Sequence, residues 1–385
     1  MKKIFIIAGE MSGDSHGARL VRELNRLDPN LEFCGLGGNK MKEAGVQIST
    51  DLTRISVLGL TDVLQKYFTF RKIFYAALRQ IDELKPDLII LIDYPGFNLR
   101  LAKKLKRKFP VVYYISPQIW AWGHRRIKVI KKCIDKLIVF FPFEKELYDA
   151  ANIPCAFVGH PLADEIVAPK EQHSISDSRP VIGLLPGSRE SEVNRILPTL
   201  LEAANEIQKN HSTCSFILSE SNNIKESVYE NILKPFDTKL NLKTVRGKPY
   251  EAIQNSDILI VTSGTATLET ALHGKPFILV YKAARLTYLL GRMLIRIPFL
   301  GIVNILGKRK IVPELIQTNL TVKNLVKEIE DLINNAQLRR AQFESFLEIR
   351  RGLSTGNSVG LTALEILRFI QSSNSHRFFE KNLSD

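Results

Sequence analysis

The chain has 385 residues, 45% hydrophobic and 24% charged, which excludes a disordered polypeptide and supplies enough apolar surface for two cores. Fifty-four Lys and Arg against 40 Asp and Glu leave a net charge of +14, a field suited to nucleic acid, an anionic membrane or phosphorylated substrates. No run of 18 uncharged apolar residues offers a spanning helix, the cysteines at 34, 133, 155 and 214 lack paired ligand spacing, and no leader pattern precedes the first strand, so a reducing, cytoplasmic setting is expected. In chain order, residues 2–8 read as an apolar strand, and "AGEMSGDSHGA" (8–18) as a polar turn into a helix over 14–27. Gly9, Gly13 and Gly17 ease close backbone passage there, and Ser12, Asp14 or Ser15 is placed to cap the helix. A strand at 31–35, a glycine turn at 37–38 and a helix over 62–83 follow. "DLIILID" (87–93) is a near-continuous apolar strand of the buried parallel type. A basic helix (98–108), strands at 111–116 and 136–141 separated by a helix at 127–134, a helix at 142–150 and a strand with a turn at 155–161 complete the first half.

The polar stretch 168–180 reads as a linker, after which the alternation restarts. Strands are expected at 181–188, 215–220, 243–245, 257–264 and 276–281. Helices are expected at 190–209, 249–254 and 265–273, and then at 321–335, 337–349 and 357–371. The simplest architecture is α/β: two Rossmann-like domains facing a central cleft, with C-terminal helices. The expected divisions are 1–167, 181–345 and a helical segment 346–385 packing back across the cleft.

Two strand exits in the second half are built for an anion. "LLPGSRESEV" (184–193) puts Gly187, Ser188 and Arg189 just ahead of a helix, where free N–H groups, a hydroxyl and a guanidinium converge. "TSGTATLE" (262–269) repeats the device with Ser263, Gly264, Thr265 and Ala266, and Glu269 lies one turn in, within reach of paired sugar hydroxyls. Neither is a P-loop. Two such turns suit a diphosphate joined to a nucleoside.

With "IDYPGFN" (92–98), "SPQIWAW" (116–122), "FPFEKELY" (141–148) and "FVGHPLAD" (157–164), these strings in this order resemble the lipid-A-disaccharide synthase family over nearly the whole chain. The resemblance implies a GT-B glycosyltransferase that is inverting and needs no metal or other cofactor. Its donor is UDP-2,3-diacylglucosamine, its acceptor 2,3-diacylglucosamine 1-phosphate (lipid X), and its products a β-1,6-linked disaccharide 1-phosphate and UDP. Arg189, the 263–266 turn and Glu269 match the family's UDP-binding segments, and Asn304 in "PFLGIVNILGKRK" matches its asparagine before a basic loop. An anionic inner-membrane surface, peripheral attachment there and a second copy of the chain are further expected partners and states.

In the first half, Asp93, Glu10 and Asp14 all leave strand ends on one sheet edge and are candidates for the base that activates the acceptor hydroxyl. The family pattern has a second acid where this chain carries Gly96, which leaves the choice among the three open. Ser12, Gly13, His16, His124 and Arg125 are candidates for the acceptor phosphate, with His16 equally able to pair with a carboxylate or to sit on a helix face. No His/Cys/Asp cluster has metal-ligand spacing. The basic-apolar stretches 64–78 and 283–300 suit an interfacial position or shelter for acyl chains. Two other readings stay open: a UDP-N-acetylglucosamine 2-epimerase or another UDP-sugar transferase of the same architecture, and a non-catalytic basic membrane- or nucleic-acid-binding module. Nucleic acid has no motif here beyond charge.

Overall fold

The computed structural model describes residues 1–53, 63–105, 107–169, 179–236, 240–284, 288, 291 and 297–382. Most of the expected linker (170–178) and part of each basic-apolar stretch (side chains of 64–67; residues 285–287, 289–290 and 292–296) lie outside the described residues. Tertiary contacts divide the chain into two compact units, Met1–Asp164 with Leu353–Asp385, and Glu165–Gly352.

The first unit is a seven-stranded sheet with β1 (Lys2–Ala8), β2 (Leu31–Gly37), β3 (Gln47–Asp51), β4 (Leu88–Ile92), β5 (Val111–Tyr114), β6 (Lys136–Val139) and β7 (Cys155–Phe157) in the order β3-β2-β1-β4-β5-β6-β7. Every pairing is parallel. The two-residue period of a strand sorts its side chains. Ile4, Ile6 and Ala8 join Leu88, Ile90 and Ile92 in one core layer, while Phe5 and Ile7 join Ile89 and Leu91 in the other. Helix Met11–Leu27 covers the first layer through Ala18, Leu20, Val21 and Leu24, and helices Val63–Leu84 and Pro95–Leu105 cover the second. Both faces are therefore closed, which is why β4 is wholly apolar and fully buried.

The last helix, Ser358–Asn382, returns to this unit. Ala363, Ile366 and Ile370, spaced on one helical face, enter the same layer as Ala18 and Val21. The Asp164 carboxylate anchors the return: it accepts from Ser354 Oγ (2.8 Å) and the backbone N–H groups of Thr355 (3.0 Å), Gly356 (2.9 Å) and Ser358 (2.8 Å).

The second unit is a six-stranded parallel sheet, with β8 (Val181–Leu185), β9 (Ser215–Glu220), β10 (Leu242–Arg246), β11 (Ile258–Thr262), β12 (Phe277–Tyr281) and β13 (Glu314–Ile316) in the order β10-β9-β8-β11-β12-β13. Helix Glu190–Asn210 buries Val193, Ile196, Leu197, Leu200, Ala204 and Ile207 against it. In each sheet the strand order reverses once, between β1 and β4 and between β8 and β11. At such a switch point the connections leave in opposite directions and open a crevice at the carboxyl ends of the strands. Gly9–Gly13 and Asp93 follow β1 and β4, and Pro186–Arg189 and Ser263–Ala266 follow β8 and β11. The chemistry-bearing turns of both halves thus stand at the two switch points.

Candidate active site

In the first unit Ala8 lies opposite Ile92 in the ladder, so Glu10 and Asp93 emerge side by side. Pro95 and Gly96 do not make the turn after β4; they open helix Pro95–Leu105. Asp93 and Tyr94 make it, with φ of 44° and 48°. Two successive non-glycine residues in the left-handed region cost on the order of 1–3 kcal/mol each. Hydrogen bonds hold them there. Asn98 Nδ2 donates to the Asp93 carbonyl (2.8 Å) and the Ile92 carbonyl (3.1 Å), and the buried Tyr113 hydroxyl also donates to the Asp93 carbonyl. Tyr94 lies over Gly9 so closely that a β-carbon there would fall 2.2 Å from its ring. The Asp93 carboxyl sits in this frame, pushed up to about 6 by burial first and by the charge of Glu10 second, against the lowering effect of the Tyr94 N–H.

Asp14 does not share that edge as a free carboxylate. It is buried and accepts from the N–H groups of Gly38 (2.8 Å), Lys40 (3.0 Å) and Met41 (3.1 Å), capping the short helix Asn39–Glu43. Three of its acceptor positions are engaged by backbone N–H groups, which gives Asp14 a structural role beside the one expected of it as a base. Ser12 is exposed and Gly13 buried in the first turn of helix Met11–Leu27, beside Glu10.

His16 points to an aromatic cluster, with its ring 5.4 Å from Phe140 and 6.4 Å from Tyr114. Burial first, then Arg19, lowers its pKa to about 4, and burial with His16 itself lowers His160 to about 3. Both rings are neutral at pH 7, so His16 carries no fixed charge for a phosphate. His124 and Arg125 are exposed ahead of helix Arg126–Cys133, where Arg126 stacks on Trp122 at 4.2 Å. The segment leading to them rests on Glu144, a buried carboxyl raised to about 8 by desolvation, and on Ser116 Oγ, 2.7 Å from the Tyr148 hydroxyl. No described contact joins His124 or Arg125 to Asp93.

In the second unit Gly187 has φ of 115°, and a β-carbon there would meet Glu192 Oε2 at 2.5 Å. The positive φ is the count that favours glycine, since the flexible carboxylate end of Glu192 can shift. Glu192 receives the Arg189 N–H (3.4 Å) and pairs with its guanidinium (3.1 Å), while the Arg189 side chain stays 80% exposed. The pair orients the arginine without burying it. Gly264 (φ 157°) precedes helix Thr265–Leu272. Thr267 and Thr270 are tolerated inside that helix because their hydroxyls donate to the Gly264 and Ala266 carbonyls, both at 2.7 Å. Glu269 is raised by burial and receives the Tyr250 hydroxyl at 3.3 Å.

A cavity of about 940 Å³ in this unit joins Arg189, Glu192 and Ser263 to Tyr281, Phe299, Leu300, Lys310 and Glu314. Asn304 is not among its lining residues. It is fully buried: its amide donates to the Val312 carbonyl (3.0 Å) and Glu314 Oε1 (2.8 Å), and its oxygen accepts from the N–H groups of Ile311 (2.8 Å) and Val312 (2.9 Å). All four hydrogen-bonding positions are filled, so the expected sugar-nucleotide contact at Asn304 is corrected to a brace. Glu314 completes the brace by receiving the N–H groups of Leu300 and Gly301, both at 3.0 Å. The supporting residues Asn98, Tyr113, Glu192, Tyr250 and Glu314 escape a reading of the sequence, although Asn98 stands inside the "IDYPGFN" string.

Comparison with known proteins gives these geometries a family. A family model described as lipid-A-disaccharide synthetase matches residues 4–358. Lipid-A-disaccharide synthase 1 of Legionella pneumophila (strain Lens) is 40% identical over 366 residues, covering 92% of this chain and 94% of that protein. Among solved structures, a putative UDP-N-acetylglucosamine 2-epimerase from Listeria monocytogenes aligns with a TM-score of 0.63 at 12% identity, covering 98% of both chains. CalG4, the calicheamicin glycosyltransferase, aligns at 0.60 and 16% identity, covering 96% of this chain and 98% of that one. Likenesses at that identity establish the GT-B fold alone and do not choose between epimerase and transferase; the sequence match does. The chain belongs to the lipid-A-disaccharide synthetase family.

Proposed function

We propose that the chain is an inverting glycosyltransferase that moves 2,3-diacylglucosamine from its UDP derivative onto 2,3-diacylglucosamine 1-phosphate. The near-full-length identity to a lipid-A-disaccharide synthase carries this reading. The epimerase reading has only a shared fold behind it. Arg189 and the turn Ser263–Ala266 take the diphosphate, where a guanidinium and unpaired helix N–H groups meet charge that grows as UDP leaves. Glu269, oriented by Tyr250, takes the ribose hydroxyls. Replacing Arg189 with Ala removes one charged hydrogen bond, worth about 1.5–3 kcal/mol. Calorimetry on the folded R189A protein should show UDP affinity weakened by one to two orders of magnitude, and unchanged affinity contradicts the assignment.

Asp93 is the proposed base. It accepts the proton of the acceptor 6-hydroxyl as that oxygen bonds to the anomeric carbon, and the bond to UDP breaks with its electron pair leaving on the diphosphate. A carboxyl held near 6 is largely ionised at pH 7.5 and is a stronger base than an ordinary aspartate. Asp93→Asn should lower single-turnover disaccharide formation by about 10²–10⁴-fold, with UDP affinity retained. The wild-type rate should fall below an acid limb near pH 6. Because the charge of Glu10 raises Asp93, Glu10→Gln should move that limb to lower pH. An unmoved limb, or near-normal turnover in D93N, contradicts the role.

Peripheral attachment to an anionic membrane, on its cytoplasmic face, is part of the same proposal. No helix among the described residues is long and apolar enough to cross a bilayer. Phe68 (61% exposed) and Tyr75 (47% exposed) instead project from helix Val63–Leu84. Phe74, Phe97, Arg100, Lys103 and Lys104 line a groove beside Tyr94. An apolar centre with a basic rim suits acyl chains below anionic headgroups. Sedimentation with anionic vesicles should show binding at low ionic strength that weakens as salt rises. No binding at low salt contradicts this part.

A further inference from the structure

Both tryptophans of the chain, Trp120 and Trp122, stand in the segment that follows β5. β5 lies beside β4, the strand that leads to Asp93, and the Asp93 N–H donates to the Tyr114 carbonyl at 3.0 Å. The segment leaves the sheet through Ile115, with φ of 65°, a left-handed conformation that a β-branched side chain rarely adopts. Helix Pro142–Ala150 holds it from below. Trp120 meets the Phe143 ring edge-on at 5.1 Å, and the Ser116 hydroxyl lies 2.7 Å from that of Tyr148. The Glu144 carboxyl, on the same helix, is 3% exposed, and no cation pairs with it among the described residues. The Phe141 N–H reaches it only at 3.3 Å. A carboxylate stripped of water needs a cation or several short donors, whereas a neutral acid needs neither. Desolvation accordingly raises Glu144 to about 8, against smaller lowering effects of Phe141, Trp120, Phe140 and Ser116. The donors that a charged Glu144 would call on are disposed otherwise. The buried Trp120 indole N–H finds no hydrogen-bond partner among the described residues, and Ser116 Oγ donates to the Pro117 carbonyl at 3.1 Å.

We infer that Glu144 is a positioning residue for the transfer reaction: as an uncharged acid it sets the 116–122 segment beside the Asp93 turn, and on losing its proton it redraws that segment. The carboxylate then takes the Trp120 N–H and the Ser116 hydroxyl as donors, which breaks the Ser116–Pro117 hydrogen bond and shifts Trp120 on Phe143. Arg126 lies over the Trp122 ring at 4.2 Å, so the change reaches the start of helix Arg126–Cys133. The inference rests on the transferase reading and on Asp93 as its base; its conformational half needs neither. The other ionisable groups packed around Glu144 stay out of the same pH window. Burial raises Tyr148, on the same helix, well above its ordinary range and pushes the Cys155 thiol on β7 up to about 12. Burial also lowers His160, whose ring lies 5.4 Å from that of Phe141, to about 3. Lys145 and Asp149 pair with each other on the exposed side of the helix. On the segment itself stand His124, Arg125 and Arg126; a guanidinium does not titrate in proteins, so the histidine alone calls for a control.

Tryptophan fluorescence reads this segment alone, because it holds every tryptophan of the chain. In the full-length wild type, emission followed upward from about pH 6.5 should change with one midpoint near 8. In Glu144→Gln it should stay flat, and in His124→Gln it should follow wild type. Disaccharide formation from UDP-2,3-diacylglucosamine and 2,3-diacylglucosamine 1-phosphate should fall about tenfold from pH 7 to pH 9 in wild type, the loss expected of a group half-ionised near 8. E144Q should lose that alkaline limb and keep the acid limb near pH 6 that belongs to Asp93. A flat wild-type trace overturns the inference without recourse to any variant. So does a fluorescence transition or an alkaline limb that survives in E144Q. A transition carried by Glu144 with no alkaline limb in wild type overturns the positioning role. A wild type that makes no disaccharide at any pH overturns the transferase reading instead, and the fluorescence arm, which uses no substrate, still decides whether Glu144 sets the segment.

Discussion

The first unit depends on one carbonyl oxygen. Asn98 and Tyr113, from a helix and from the neighbouring strand, both donate to the main chain of Asp93 and hold it and Tyr94 in left-handed backbone. Ordinary extended geometry at these two residues would carry the chain past the sheet edge. The left-handed pair instead folds it back, sets Pro95 at the start of a helix and leaves the Asp93 carboxyl beside Glu10. The strain is local, and the donors that offset it are fully buried. The proximity to Glu10 follows from the β1–β4 register, and the raised Asp93 pKa from that proximity and from burial. Gly9 belongs to the same constraint, since any side chain there would displace Tyr94.

The second unit solves a similar problem with different means. Its two anion-ready turns are short and glycine-based, and each is stabilised by a neighbour that leaves the ligand-facing atoms free. Glu192 steadies Arg189 from behind, and the Thr267 and Thr270 hydroxyls bond within their own helix. Asn304 does the same on a larger scale: a saturated amide holds a loop so that other residues of that loop line the cavity. Asparagine suits this because it offers two donors and two acceptor positions on one rigid plane.

Much of this was legible in the sequence. The apolar run 88–92, short and bounded by turn residues, reads as a buried parallel strand, and glycine-containing turns after such strands point to the switch points of the sheets. The edge strand Gln47–Asp51 was not legible, because "QISTD" has a polar face and no apolar run; the three-residue β13 was missed for want of length, and the helix Glu226–Leu233 was missed although its length matches helices that were read. Side-chain partners were the part the sequence hid: even Glu192, three residues from Arg189, was passed over. Asp14 reads as an available acid until its partners, 24 to 27 residues away, are known. Asn304 reads as a ligand contact until the loop it holds is folded around it. Sequence shows which groups carry lone pairs, but long-range packing decides which of them are already in use.

The central claim is that the chain joins two acylated sugars at the expense of a UDP bond. The most direct measurement incubates the purified protein with UDP-2,3-diacylglucosamine and 2,3-diacylglucosamine 1-phosphate and follows both products by mass spectrometry. The account predicts disaccharide 1-phosphate and UDP in equal amounts, with negligible turnover when UDP-N-acetylglucosamine replaces the donor. Interconversion of the non-acylated UDP-sugar, with no disaccharide formed from the acylated pair, would contradict it.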